Sequence, residues 1–238
     1  MHLRFLGTGT SAGIPVIACD CAVCTSNDPR DNRTRCSATL EFTDDTGQDR
    51  VVLIDTSPDL RLQVLRENIQ RIDAILFTHN HVDHTFGLDE VRRFNEVMKQ
   101  TIPIYADEHT MNSLGRVYQH IFSPHTNIQS SFIASLDPTI IFPFEPFTLF
   151  GLTITPVTVM HGKLQILSYL FEKPGSDSPL LPLAYCTRGS WHQYPSWHRK
   201  KVLGQVSWRS RWRPKKRMAG IAPLICCGTT KVRRRVAI

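Results

Sequence analysis

The segment Ile72-Asp73-Ala74-Ile75-Leu76-Phe77-Thr78 is almost wholly apolar and runs directly into His79-Asn80-His81-Val82-Asp83-His84. The first part reads as a strand buried on both faces, and such a strand demands a sheet covered on both sides. The second part sets three imidazoles and a carboxylate within six residues at the C-terminal end of that strand. Two histidines two apart on an extended or turning backbone can converge on one ion, and Asp83 with His84 can reach a second nearby. Imidazole and carboxylate donors suit zinc, manganese or iron. The competing reading is a polar loop that carries ordinary surface histidines.

The rest of the first 187 residues fits a layered fold around that strand. Leu3 to Leu6 reads as a strand that enters a small-residue loop, Gly7-Thr8-Gly9-Thr10-Ser11-Ala12-Gly13. That loop lacks the terminal Gly-Lys-Ser/Thr of a phosphate-binding loop, so a tight turn with close backbone approach competes with phosphate binding. Ser37 to Phe42 and Val51 to Ile54 flank the turn Asp44-Asp45-Thr46-Gly47 and predict a hairpin. Ser57-Pro58-Asp59 predicts a helix start, with Leu62, Leu65 and Ile69 as its apolar stripe. Leu88, Val91, Phe94 and Met98 predict a second helix, and a third is expected over about 107–121. Further strands are expected at Ile102 to Tyr105, Ile140 to Phe142, Leu152 to Val159, Ile166 to Phe171 and Leu183 to Tyr185. Strands alternating with helices, several of them in hairpin pairs, imply a mixed-sheet α/β fold.

Charge divides the chain in two. The net charge of +7 suggests nucleic-acid binding only until it is located. Residues 188–238 hold 14 of the 28 Lys and Arg and none of the 21 Asp and Glu, so the first 187 residues are net acidic. All four tryptophans (Trp191, Trp197, Trp208 and Trp212) also fall in the basic part. No run of eighteen apolar residues predicts a membrane span, and the opening Met1 to Gly7 does not resemble a secretory signal. The expected setting is cytoplasmic, with no membrane partner. Seven cysteines in a reducing compartment favour metal over disulfide. Cys19, Cys21 and Cys24 form Cys-x-Cys-x-x-Cys, three thiolates able to wrap one zinc, against a reading as three buried thiols. Cys36 is expected to serve packing, and Cys226 and Cys227 are assigned nothing.

The run His79-x-His81-x-Asp83-His84 after a strand resembles the metallo-β-lactamase superfamily. Gly7-Thr8-Gly9-Thr10-Ser11, Cys19-Asp20-Cys21-Ala22-Val23-Cys24, Leu53-Ile54-Asp55-Thr56-Ser57 and Gly87-Leu88-Asp89-Glu90-Val91-Arg92-Arg93-Phe94-Asn95 resemble its PhnP-like branch. The resemblance covers residues 1–187. It implies an α/β fold of the αββα sandwich type with two divalent metals, zinc or manganese, at one edge. By that resemblance His79, His81 and His161 bind the first ion, Asp83 and His84 bind the second, and Asp55 supports the metal loop from behind. It further implies a structural zinc on Cys19, Cys21 and Cys24, completed by a histidine from the C-terminal part. The implied activity is hydrolysis of a small phosphodiester, cyclic ones included, by a metal-activated hydroxide that Asp83 orients. A nuclease of the transfer-RNA-processing kind shares the histidine motif and is the rival within enzymes. A small-molecule phosphodiester is the expected partner, and a homodimer is compatible with the pattern.

The pattern stops at Thr187. The family continues into an aspartate that bridges both metals and later supplies one more histidine; this sequence has Arg188, which repels cations. The sandwich is therefore expected to be incomplete at its C-terminal end, with one metal retained and weak or absent turnover. Three readings of residues 188–238 compete: out-of-frame translation, a basic arm for RNA or DNA, and a solvated disordered tail. With the second, the chain becomes a degenerate metal- or RNA-binding protein.

Overall fold

The computed structural model describes residues 1–123, 125 and 132–174, and the backbone of 235–237. The expected strand at Leu183 to Tyr185, Arg188, Cys226, Cys227 and nearly all of the basic tail lie outside the described residues. Two sheets face each other. The larger is built from β1 (His2–Gly7), β2 (Ser37–Thr43), β3 (Asp49–Ile54), β4 (Ala74–Leu76), β5 (Ile102–Ala106), β6 (Leu136–Ile140) and β10 (Arg235–Ala237). Its seven strands lie in the order β10-β1-β2-β3-β4-β5-β6. β1, β2 and β3 pair antiparallel, and β3 through β6 run parallel, as helix-bearing crossovers require. The smaller sheet is the antiparallel β7 (Phe147–Leu149), β8 (Leu152–His161) and β9 (Leu164–Glu172).

Side-chain alternation along β3 builds both cores at once. Val52 and Ile54 join Leu40, Phe42, Ala74 and Leu76 against Ile154, Leu167, Tyr169 and Phe171 of the smaller sheet. Leu53 points the other way, with Ile75, Phe77 and Ile104, into the helical layer. That layer comprises α1 (Leu60–Arg66), α2 (Val82–Thr85), a 3-10 turn at Leu88–Val91, α3 (Arg92–Met98), α4 (Glu108–Val117) and α5 (Gln119–Phe122). Asp107 caps α4 by accepting from the Thr110 amide at 2.8 Å. The described part is thus the α, β and β layers of the expected sandwich.

Three local expectations shift. The first helix begins at Leu60, because Ser57 Oγ accepts from the Asp59 amide in a turn that precedes it. Its stripe is out of phase with the one read from leucines: Leu62 and Leu65 are 58% and 62% exposed, while Leu60 and Gln63 are fully buried. Gln63 is held inside by bonds to Ser57 Oγ, Thr34 Oγ1 and the Arg35 carbonyl. The strand expected at Ile140 to Phe142 lies earlier, at Leu136–Ile140, where Pro138 is tolerated on a sheet edge. The glycine loop after β1 serves close backbone approach: a Cβ on Gly7 would sit 1.8 Å from the Arg35 carbonyl oxygen.

Candidate metal centre

Asp55 follows the last residue of β3 in the left-handed region, at φ 59°, a conformation its short polar side chain tolerates. It is fully buried. Its Oδ1 accepts from the Thr78 amide at 2.7 Å, and its Oδ2 accepts from the Thr78 hydroxyl at 2.7 Å and from His84 Nδ1 at 2.7 Å. One carboxylate thereby fixes both ends of the turn that carries the histidines. Backbone bonds hold the same turn: the Thr56 amide donates to the His84 carbonyl and the Gly87 amide to that of Thr56, at 2.8 and 2.9 Å. Gly87 has to be glycine here, because a Cβ would lie 2.1 Å from the Ser57 carbonyl oxygen. From the other sheet, the Leu167 amide bonds to the Thr78 carbonyl at 2.8 Å and the Tyr169 hydroxyl to the Phe77 carbonyl at 2.5 Å.

His79 is buried, His81 occupies the exposed N-cap of α2, and His161 ends β8 at the tip of its hairpin. The register pairs His161 with Leu164, so Gly162 and Lys163 form the turn, with Gly162 at φ 65°. These three histidines come from two elements far apart in sequence, yet each offers one ring nitrogen, and the three nitrogens lie within 4.8 Å of one another. The ring centroid of His79 is 4.5 Å from that of His81 and 5.5 Å from that of His161.

The electrostatics at that point keep His79 uncharged. Burial, reinforced by neighbouring imidazoles and opposed by Asp55, lowers the pKa of His79 to about 4, so its ring is neutral. Its Nε2 is buried without a hydrogen-bond partner, which is costly unless another group meets the lone pair. A divalent ion fits that donor set. Asp83 and His84 stand beside it and pair with each other, His84 Nε2 lying 3.3 Å from Asp83 Oδ2. Burial alone would lower the His84 pKa, but Asp55 and Asp83 outweigh it and raise it to about 10. Burial opposes ionisation of Asp83, while His84 holds its carboxyl below the usual range.

The cysteines converge as well. Cys19, Cys21 and Cys24 are half-buried, with their sulfurs within 4.8 Å of one another. Cys24 Sγ accepts from the Val16 amide at 3.3 Å. The Cys21 amide favours the Cys19 thiolate, but the adjoining Cys21 and Cys24 thiols push the Cys19 pKa up to about 11. Cys36 is buried, and its thiol donates to the Gly9 carbonyl at 3.0 Å. Two contributors carry no distinguishing sequence signal. Thr78 reads only as the end of a strand, yet its hydroxyl lies 2.9 Å from His79 Nδ1. Asn80, inside the motif, reaches Ser113 Oγ of α4 at 3.1 Å and His109 Nε2 at 3.3 Å.

Residues 50–187, more than half of the chain, match the beta-lactamase superfamily domain. Among curated proteins, an octanoyltransferase of Porphyromonas gingivalis is 36% identical over 71% of this chain, although the match is only 32% of that protein. A coenzyme PQQ synthesis protein B of Methylorubrum populi is 29% identical over 70% of this chain and 54% of its own length. This chain therefore spans about a third to a half of those relatives. Among solved structures, a diphosphatase of the PhnP family is 41% identical, covers 71% of this chain and 61% of its own, and superposes with a TM-score of 0.61. Zinc-bound PqqB from Methylobacterium extorquens shares the fold at 24% identity and a TM-score of 0.55, over 75% of this chain and 61% of its own. Among the described residues no helix is long and apolar enough to cross a membrane. With the histidine turn at the sheet edge, the paired sheets and the matched domain in agreement, this chain belongs to the β-lactamase superfamily and has the metallo-β-lactamase fold.

Proposed function

We propose that this chain is a metal-dependent hydrolase acting on a small phosphodiester. The observation that carries the reading is that His79, His81 and His161 each bring a ring nitrogen within 4.8 Å of the others, while His79 Nε2 is buried without a partner. The 41% identity to a PhnP-family diphosphatase supports phosphate chemistry. A divalent ion on the three histidines supplies a Lewis acid and lowers the pKa of water it binds. The chain's own residues do the rest. Asp55 holds the histidine turn rigid through Thr78 and His84. Asp83, ionised and beside the histidines, would accept a hydrogen bond from such a water and orient it. His81, exposed at the mouth, leaves that side of the site open to substrate.

One ion binds on the histidines; among the described residues Asp83 and His84 pair with each other, and the sequence has Arg188 where the family has an acid. Turnover is accordingly slow. Cys19, Cys21 and Cys24 hold a structural zinc and leave its fourth position to another donor. To test the reading, the chain is loaded with zinc or manganese and offered a small cyclic phosphodiester, a small diphosphate ester and a structured RNA. Slow cleavage of the phosphodiester that disappears in His81→Ala is the expected result. Cleavage of RNA alone, or of none of the three by metal-loaded protein, overturns it.

A further inference from the structure

Proton bookkeeping along the buried chain Asp55–Thr78–His79 fixes the state of one imidazole. The Asp55 carboxylate can only accept hydrogen bonds. The Thr78 hydroxyl, 2.7 Å from Asp55 Oδ2, therefore donates its single proton to that carboxylate. What it presents to His79 Nδ1, 2.9 Å away, is a lone pair. Nδ1 must then carry the proton, and a neutral imidazole with a proton on Nδ1 has none on Nε2. Nε2 is the buried atom that has no hydrogen-bond partner among the described residues.

We propose that Thr78 is a positioning residue that locks His79 in the tautomer with Nε2 bare, so that the nitrogen facing the histidine cluster is always a donor to metal. This rests on the metal reading above and adds to it a residue with no metal contact. His84 is fixed directly, through Nδ1 on the same Asp55 oxygen at 2.7 Å. His79 lies at the other end of the turn and needs the hydroxyl as an intermediary. Thr78 also donates its amide to Asp55 at 2.7 Å and is 1% exposed, so its rotamer has little freedom. Outer partners of ligating histidines of this kind influence metal affinity by about ten- to a hundredfold.

The test uses the full chain with isotope-labelled histidine, together with Thr78→Val and Thr78→Ser. Valine keeps the shape and loses the hydroxyl; serine keeps the hydroxyl. In metal-free protein near neutral pH, nitrogen NMR is expected to find His79 protonated on Nδ1 in wild type and Thr78→Ser, and to lose that preference in Thr78→Val. Manganese titration followed by electron paramagnetic resonance avoids the cysteines, which are poor ligands for that ion. It is expected to give about a ten- to hundredfold weaker site in Thr78→Val, rescued in Thr78→Ser. A wild-type His79 protonated on Nε2 overturns the proposal whatever the variants do, and so does a valine variant with unchanged manganese affinity. If wild type has the Nδ1 proton but the histidines bind neither manganese nor zinc, the metal reading fails while the tautomer assignment stands.

Discussion

The two donor clusters are built in opposite ways. The histidines sit where two sheets meet, on a turn that Asp55, Leu167 and Tyr169 fasten from three directions. The cysteines sit on a segment whose only regular element is a 3-10 turn at Pro29–Asp31, closed at its base by the Ile14–Arg33 bridge. Ile17, beside the cysteines, is 94% exposed. The histidine cluster is preorganised by the fold; in the cysteine segment no side chain of residues 15–33 is buried, so on the zinc reading proposed above a cation would supply its order. On the metal reading proposed above, an ion would serve chemistry at the first place and local folding at the second.

The largest effect should come from removing the fastening of the first cluster. Asp55→Ala leaves Thr78 Oγ1 unpaired toward that side and strands His84 beside Asp83 without its stronger partner. A loss of about 3–5 kcal/mol in unfolding free energy is expected, read from the denaturant midpoint. A change near that of a surface mutation would mean the turn is held by its backbone bonds alone, and the contrast between the clusters would collapse.

Metal removal addresses the same contrast from the other side. After chelation, amide exchange across residues 14–33 should speed up on the order of tenfold or more, while residues 74–85 change little. Equal acceleration in both segments would break the comparison, because it would make the histidine turn as dependent on its ion as the cysteine loop.

Much of the first cluster is legible in the sequence, and the reason is physical. A buried apolar run that ends in imidazoles at one-residue spacing has few roles open to it besides holding an ion at a strand end. The strand, the turn and the placing of His79 and His81 at its end therefore follow directly. His161 is not legible from its own surroundings; only the family pattern singles it out, because a hairpin tip brings it across from the other sheet. The Thr78 hydroxyl is invisible because nothing in a sequence tells which of two neighbouring polar groups gives its proton to a buried acid.

A smaller effect is expected where the two regions are joined. Asp59 Oδ2 accepts from the Arg35 amide and Nε at 2.8 and 2.9 Å, and Oδ1 accepts from Nη2 at 2.6 Å. Hydrogen bonding to Arg35 lowers the Asp59 pKa, against the opposing effect of burial. A depressed folded pKa means that the contribution is fully present above the ordinary carboxylate value of about 3.9 and disappears as pH falls through the folded one. Asp59→Asn should cost about 1 kcal/mol at pH 7. The difference from wild type should shrink in denaturation at about pH 3. A gap that stays constant with pH would show that shape, not charge, makes this join.

The smallest effects belong to the exposed leucines of α1, where leucine spacing pointed the wrong way. A helix stripe read from hydrophobicity assigns Leu62 and Leu65 to the interior. The chain instead turns them to solvent and buries Gln63, whose amide bridges Ser57, Thr34 and Arg35. Those partners belong to both regions: Ser57 follows the Asp55 corner, and Thr34 and Arg35 end the cysteine-bearing segment. Leu62→Ser and Leu65→Ser should each stay within about 0.5 kcal/mol of wild type. Gln63→Ala, the contrast on the same helix, removes one partner from several buried polar groups and should cost about 1–3 kcal/mol. The measurement is a set of urea midpoints on the three variants. A leucine variant that destabilises more than Gln63→Ala would mean that this face is covered in solution, and the glutamine would lose its standing as the stitch between the histidine turn and the cysteine-bearing loop.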